Sequence, residues 1–360
     1  MDSNYFRSIS TKRSYFQREE VKVANKLKKG KHVVVIVNIV VAFLFIAICI
    51  SYAGNSTPNH KIPFGSQTYM YNFYGLSTVD SRNIWVVGAF GTIVYSDDGG
   101  KTFYVQESGV KSELFDVKIA DNKTGYAVGR FGVILKTNDG GKTWIRQESE
   151  VKGMLCSLFF LNKTTGWIVG EYNTILHTED GGKRWKKQGK KMDRMLNRVF
   201  FIDEKYGWAV GEFGTIMRTI DGGENWTEHK NPEGEKTLYG LFFKDITSGW
   251  AVGMDGSILL TKDGGVTWDS IKLNINESLY SIYFIGEKGW IVGGKGTYCT
   301  TEDDGETWTI SPNDIGTRAW LWTNYFENEK NGFVCGGGGT IRYTHDAGKS
   351  WNGPVDLYLK

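Results

Sequence analysis

The sequence predicts an all-β chain, a seven-bladed β-propeller with four-stranded blades, preceded by a single N-terminal transmembrane helix. Three observations lead there. An eight-residue turn motif returns at a nearly constant interval, four short β-rich runs lie between successive motifs, and one uncharged apolar run sits near the N-terminus.

The turn motif is typified by Thr137-Asn138-Asp139-Gly140-Gly141-Lys142-Thr143-Trp144 and recurs at 96–103, 178–185, 219–226, 261–268, 301–308 and 344–351. Its closing aromatics are Phe103, Trp144, Trp185, Trp226, Trp268, Trp308 and Trp351, spaced by 41, 41, 41, 42, 40 and 43 residues. A period held that tightly means one supersecondary unit repeated seven times. The third position is always acidic (Asp98, Asp139, Asp180, Asp221, Asp263, Asp303, Asp346), which suits a short carboxylate accepting backbone N–H groups in a turn. The fifth is always Gly, whereas the fourth tolerates Asp304 and Ala347. The fifth is therefore expected to hold the positive-φ residue of a hairpin. An acid present in every repeat serves the repeat, so these seven carboxylates are read as structural rather than catalytic or metal-binding.

Taken in order, residues 1–32 form a basic tail, with nine Lys/Arg against three acids up to Lys31. The rest of the chain holds 34 basic and 37 acidic residues, so the overall +3 belongs to the tail alone. That distribution excludes nucleic acid as the expected partner. Residues 33–53 are the transmembrane signal-anchor: Val33 to Ile50 carries no charge, and Asn38 is its one strongly polar side chain. Eighteen such residues at 1.5 Å each span about 27 Å, close to the bilayer core of about 30 Å. The Lys cluster before the run places the N-terminus in the cytoplasm and the propeller on the extracytoplasmic side. Ser51-Tyr52-Ala53 resembles a small-x-small cleavage site, which leaves a cleaved signal peptide as the alternative. The long basic region and long apolar run favour the retained anchor. Residues 54–70 read as a linker.

Residues 71–360 are the propeller. In the fourth repeat the runs are Leu196 to Phe201, Gly207 to Gly211, Gly214 to Thr219 and Trp226 to His229, separated by turn residues. Four strands in a unit of this length match a propeller blade, and no window shows the 3.6-residue period of a helical solenoid. The inner strands are expected to begin near Phe73, Leu114, Leu155, Leu196, Leu238, Leu279 and Leu321. The second-strand aromatics, such as Trp167 and Trp208, are expected between neighbouring sheets. Ring closure has two readings. In the favoured one each blade is contiguous and the last ends in an outer strand after Trp351; in the other, residues near 61–71 add a strand beside 355–359. Of the four cysteines, Cys49 lies in the membrane run and Cys156, Cys299 and Cys335 read as buried thiols, with a Cys299–Cys335 bridge as the alternative.

With the boxes and the Gly-Trp-x-Val-Gly-x-x-Gly-Thr-Ile runs laid out, residues 71–360 resemble the Asp-box, or bacterial neuraminidase repeat, superfamily. They are most similar to its photosystem II stability and assembly factor family. The resemblance implies a seven-bladed propeller that acts outside the cytoplasm, or in the thylakoid lumen, as an assembly partner of membrane complexes by binding protein without catalysis. It implies no cofactor.

Hydrolase chemistry is disfavoured on the residues as well. Sialidase-like propellers build their sites in loops that break the repeat, and retaining glycosidases need two carboxylates about 5 Å apart, whereas the box spacing here varies by at most three residues. No Arg-Ile-Pro stands near the start of the domain, and no P-loop, HExxH, GxSxG or Cys/His zinc pattern is present.

Recognition is expected on the face opposite the boxes, where the second-to-third-strand loops and the lead-ins to the inner strands meet. Departures from the repeat there are Ala89, Arg130, Glu171, Glu212, Asp255 and Lys295 in the loops. Asp193, Arg194, Arg318 and Trp320 lie in the lead-ins, with Asp116, Arg198 and Trp322 inside the strands. Trp320 and Trp322 are the two tryptophans of thirteen outside the repeat positions. An aromatic beside Arg on a loop face is the composition enriched at protein interface hot spots, so an extracytoplasmic or membrane protein is the expected partner and a cell-wall glycan the alternative. The structural alternatives are a channel plug for Trp322 and a solvated rim for the charges.

Overall fold

The structure is a computed structural model that describes residues 71–311 and 315–353, and residues 61–63 and 356–358 as backbone strands. The tail and membrane segment expected at 1–53 lie outside the described residues. Among the described residues no helix is long and apolar enough to cross a membrane.

The described strands form seven sheets, one for each turn motif. Each inner strand follows the expected start: Phe73–Thr78, Leu114–Ile119, Leu155–Phe160, Leu196–Phe201, Leu238–Phe243, Leu279–Ile285 and Leu321–Phe326. The second strands, such as Gly166–Gly170 and Gly207–Gly211, are buried at every residue. Burial on both faces is why they read as continuous apolar runs rather than alternating ones. Third and outer strands complete the antiparallel order, as in Ile216–Thr219 and Thr227–His229.

Sequence distance is bridged by one stacking unit repeated around the ring. In blades two to six the second-strand aromatic, Tyr126, Trp167, Trp208, Trp250 or Trp290, stacks on the last Phe of the next inner strand. Trp208 stacks on Phe243 with centroids 3.5 Å apart, Trp167 on Phe201 at 3.6 Å and Trp290 on Phe326 at 3.8 Å. Such pairs are worth about 0.5–1.5 kcal/mol beyond their buried area. The polar end of the aromatic also finds a partner across the interface. Trp208 Nε1 donates to the Gly264 carbonyl at 2.7 Å, and Trp167 Nε1 to the Gly222 carbonyl at 3.0 Å. With the Tyr126 hydroxyl donating to the Gly181 carbonyl at 3.1 Å, blades two, three and four are each tied in this way to the turn motif of the next.

Every inner strand also carries a register slip after its first residue, as between Leu155 and Ser157. A bulge leaves its extra residue unpaired and bends the strand. The residues so placed are Tyr74, Phe115, Cys156, Asn197, Tyr239, Tyr280 and Trp322, all partly exposed at one end of the bore.

Ring closure combines the two readings. The first blade starts at Phe73 and each blade is contiguous, as favoured. The seventh has three regular strands, Leu321–Phe326, Gly332–Gly336 and Ile341–Thr344, and at its fourth position only an antiparallel bridge between Tyr343 and Asn352. The chain ends pair as well: Lys61–Pro63 runs antiparallel to Asp356–Tyr358, which lies parallel to Thr102–Gln106, the outer strand of the first blade. The expected outer strand after Trp351 is therefore displaced onto the neighbouring sheet, and part of the expected linker becomes a strand. The physical reason stands in the sequence, where Gly353-Pro354 follows Asn352 and a proline has no N–H for the next rung. Closure is also apolar, since Phe73, Leu76 and Phe103 share one buried cluster with Phe333, Ile341 and Tyr343. Cys156, Cys299 and Cys335 are free thiols.

Candidate functional site

The two faces of the ring are built from different turns. On one face lie the seven boxes. In the second blade Asp139 Oδ1 accepts from the Thr143 N–H at 2.9 Å and the Thr137 hydroxyl at 2.9 Å, and Oδ2 accepts from the Thr143 hydroxyl at 2.7 Å. The Thr137 hydroxyl in turn accepts from the Gly141 N–H at 2.8 Å. The same set recurs at Asp98, Asp263, Asp303 and Asp346. Hydroxyl donors hold these carboxyls ionised: Thr301 and Thr307 bring Asp303 down to about 2, and Ser350 does the same for Asp346. The fifth position has φ between 75° and 91°, as expected, but the fourth is left-handed too. Asp304 and Ala347 accept φ of 59° and 66° where the other boxes have Gly.

The opposite face is built from a second turn, which joins the second and third strands. Its two central residues both have positive φ, as at Phe131 (59°) and Gly132 (64°), and the Val133 N–H closes onto the Arg130 carbonyl at 3.3 Å. This is a type I′ hairpin turn, whose preferred central pairs are Asn-Gly, Asp-Gly and Gly-Gly. Asp255-Gly256 in blade five and Gly338-Gly339 in blade seven obey that preference. Phe90, Phe131, Tyr172 and Phe213 in blades one to four do not, holding bulky rings at φ of 55–59°. Phe131, Tyr172 and Phe213 are 62%, 49% and 50% exposed, while Phe90 is half-covered by Tyr71. Sequence reasoning missed these rings because they fall inside the recurring Gly-x-x-Gly segment and look like part of the repeat. The available signal was their poor fit to the turn.

The candidates named from sequence reach this face, but in two registers. Ala89, Arg130, Glu171 and Glu212 hold the first turn position, whereas Asp255 and Lys295 hold the positive-φ position that the aromatics fill elsewhere. Several are already engaged. Glu171 and Glu212 accept the backbone N–H of Met154 and Met195 at 2.8 and 3.0 Å. Burial raises the Glu212 carboxyl pKa, with Asp193 and Glu171 adding like-charge repulsion. Arg194 makes a two-pronged bridge to Glu228 at 2.8 Å through both terminal nitrogens and is 11% exposed, so it braces blade four. Arg130 pairs with Glu113 at 3.4 Å. Asp193, Asp255 and Arg318 are exposed.

Three of the candidates meet. Lys295, Arg318 and Trp320 line one open depression of about 450 Å³ between blades six and seven, together with Tyr280, Glu277 and Asn276. The floor is aromatic. Trp320 stacks on Tyr74 at 5.7 Å and meets Trp322 edge-on at 5.8 Å, and Trp322 stacks on Tyr280 at 5.0 Å. Trp322 thus joins a layer across the mouth of the bore, while Trp320 borders the depression. Blade seven makes room for Trp320 by having no side chain beneath it, since a Cβ at Gly337 would come within 2.6 Å of the indole. Lys295 pairs with Glu277 at 3.0 Å at the rim. Deeper in the bore Arg198 reaches Asp116 at 3.4 Å, and Asp116 also accepts from Ser157 and the Leu158 N–H. Those two residues brace the ring from inside. Among the described residues no group of three or more His, Cys, Asp or Glu is arranged to hold a metal.

The family model described as photosynthesis system II assembly factor YCF48 matches residues 104–192 and 229–317. A solved structure of YCF48 bound to a D1 peptide is 19% identical, with a TM-score of 0.67 over 82% of this chain and 98% of that one. YCF48 from Cyanidioschyzon merolae is 20% identical, with a TM-score of 0.67 over 80% and 99%. Virginiamycin B lyase from Staphylococcus aureus is 13% identical, with a TM-score of 0.65 over 79% and 98%. At these identities the structural likenesses establish the shared fold. No curated protein sequence matches the chain.

Proposed function

Starting from the chain's place among Asp-box propellers of the photosystem II assembly factor-like family, we propose that it is a non-catalytic, protein-binding scaffold for a membrane protein complex. The proposal includes a membrane anchor at 33–53, a cytoplasmic N-terminus and an extracytoplasmic propeller, supported by the uncharged run and the basic tail before it. The observation that carries the binding role is the depression between blades six and seven. An aromatic floor of Trp320 and Tyr280 beside the cations Lys295 and Arg318 suits an extended segment bearing an apolar side chain and a carboxylate. That a YCF48 structure holds a D1 peptide supports a peptide-shaped ligand for this propeller also. The absence of loop insertions between blades supports binding over hydrolysis.

The test is capture from solubilised membranes with the full chain, comparing wild type with the Arg318→Ala, Trp320→Ala double variant. Loss of the wild-type set of partners supports the assignment, and an unchanged set rejects it. The aromatic floor also suits the flat face of a sugar, so the same pair of proteins is run on a glycan array. Binding there that depends on Trp320, without protein capture, moves the function to carbohydrate recognition.

A further inference from the structure

The exposed rings of Phe131, Tyr172 and Phe213 have no role in the depression. They sit on blades two, three and four at one turn position. Blades related by rotation about the bore place equivalent positions at one height, so the three rings lie near one plane. A plane of rings fits a flat partner better than a cleft does.

The charge around them has one centre. From Lys183 to Lys191 there are six basic residues and no acid, all six exposed. They climb the outer edge of blade three to its crest, where Lys191 Nζ sits 5.2 Å from the Tyr172 ring centroid and Met192, 42% exposed, donates its N–H to the Tyr172 carbonyl. The exposed acids of the adjoining connections are Glu148, Glu150, Asp193 and Glu235. Rings in a plane with lysines beside them are the arrangement found where proteins meet a bilayer, with aromatics at headgroup level and ammonium groups on anionic lipid.

We infer that the crest of blades two to four docks on an anionic phospholipid surface through Phe131, Tyr172, Met192 and Phe213 with Lys187, Lys190 and Lys191. In a seven-membered ring blade three is diametrically opposite the junction of blades six and seven. Docking there leaves the Trp320 depression uncovered at the far rim. The inference rests on the membrane-side placement proposed above and gives the anchored propeller an orientation. Each cation brought to an anionic leaflet favours binding about fivefold.

The test is hydrogen exchange on the full chain in nanodiscs of phosphatidylcholine, with and without phosphatidylglycerol. The expected result is at least severalfold slower exchange around 130–132, 171–173, 190–194 and 212–214 in the anionic discs alone. That protection is lost in about 0.5 M salt, where screening shortens to about 4 Å. Phe131→Asn, Tyr172→Asn, Phe213→Asn combined, and separately Lys187→Glu, Lys190→Glu, Lys191→Glu combined, are expected to abolish it. Asparagine suits the turn, so the first variant keeps or raises the melting temperature, and a loss of protection then reports the surface rather than unfolding. Equal exchange in both lipids, or protection that the variants retain, overturns the inference. Resistance of the full chain to carbonate extraction is scored in parallel, so failure of the anchor is distinguishable from failure of the docking surface.

Discussion

Two arcs of one face share a backbone and differ in what they carry. In blades two to four the positive-φ position of the crest turn holds Phe131, Tyr172 and Phe213; in blades five to seven it holds Asp255, Lys295 and Gly338. The backbone angles are nearly the same, φ 59°, 57° and 55° against 53°, 54° and 60°, so the fold does not require the aromatics. A bulky residue there costs about 1–2 kcal/mol, and exposing its ring forgoes burial. Asp255 and Lys295 carry a backbone cost at the same position, but exposed rings carry it only on blades two to four, since Phe90 of blade one is half-covered by Tyr71. That restriction marks a surface kept for something other than folding.

Gly132→Ala is expected to be the most damaging single change. Its φ is 64° and the added Cβ would lie 1.8 Å from the Val151 carbonyl oxygen, so a loss of about 3 kcal/mol or more is expected in denaturant melts. Gly338→Ala on the other arc, at φ 60° with nothing within 4 Å, is expected to cost only about 1 kcal/mol. Equal losses would show that positive φ alone, rather than the approach of the Val151 carbonyl to Gly132, sets the cost.

The next effect is on binding. Arg318→Ala with Trp320→Ala is expected to weaken partner capture by about 2 kcal/mol, or thirtyfold, as hot-spot truncations do. The three asparagine substitutions on the other arc should leave direct affinity for a detergent-solubilised partner unchanged. Titration by calorimetry separates the arcs, and a loss in both would merge them into one site.

A smaller change has the opposite sign. Phe213→Asn places a preferred residue before Gly214 in the turn and is expected to stabilise the fold by about 0.5–1 kcal/mol. A lower melting temperature would show that the ring packs for stability.

The smallest effect contrasts the crest with the boxes. Asp303 and Asp346 have folded pKa values of about 2, below the ordinary 3.8. A depressed carboxyl contributes stability that is complete above the unfolded value and is lost as pH falls through the folded one. The melting temperature should therefore lose the box contribution only between about pH 4 and pH 2. Asp303→Asn with Asp346→Asn should flatten that slope, and an unchanged slope would reject the boxes as its source.

Much of the fold was legible because the repeat is local in sequence. A box needs Thr, Asp and Gly within five residues, so its carboxylate-to-amide bonds follow from spacing alone. The inner-strand starts were readable for the same reason. The site was less legible. Arg194 looked like a rim cation, and only its bridge to Glu228, 34 residues away, shows it to be bound within its own blade. Lys295, Arg318 and Trp320 meet across the junction of two blades, which no spacing within one repeat reveals.

By itself, then, the order of residues determined the number of blades, the turn at each box and the strands between them, since those rest on hydrogen bonds and burial patterns within about 41 residues. Tertiary structure decided between the two closures the sequence left open, laying Asp356–Tyr358 on the first blade beside Lys61–Pro63, and it decided which crest side chains stay exposed. Both depend on contacts between segments brought together only when the ring is complete.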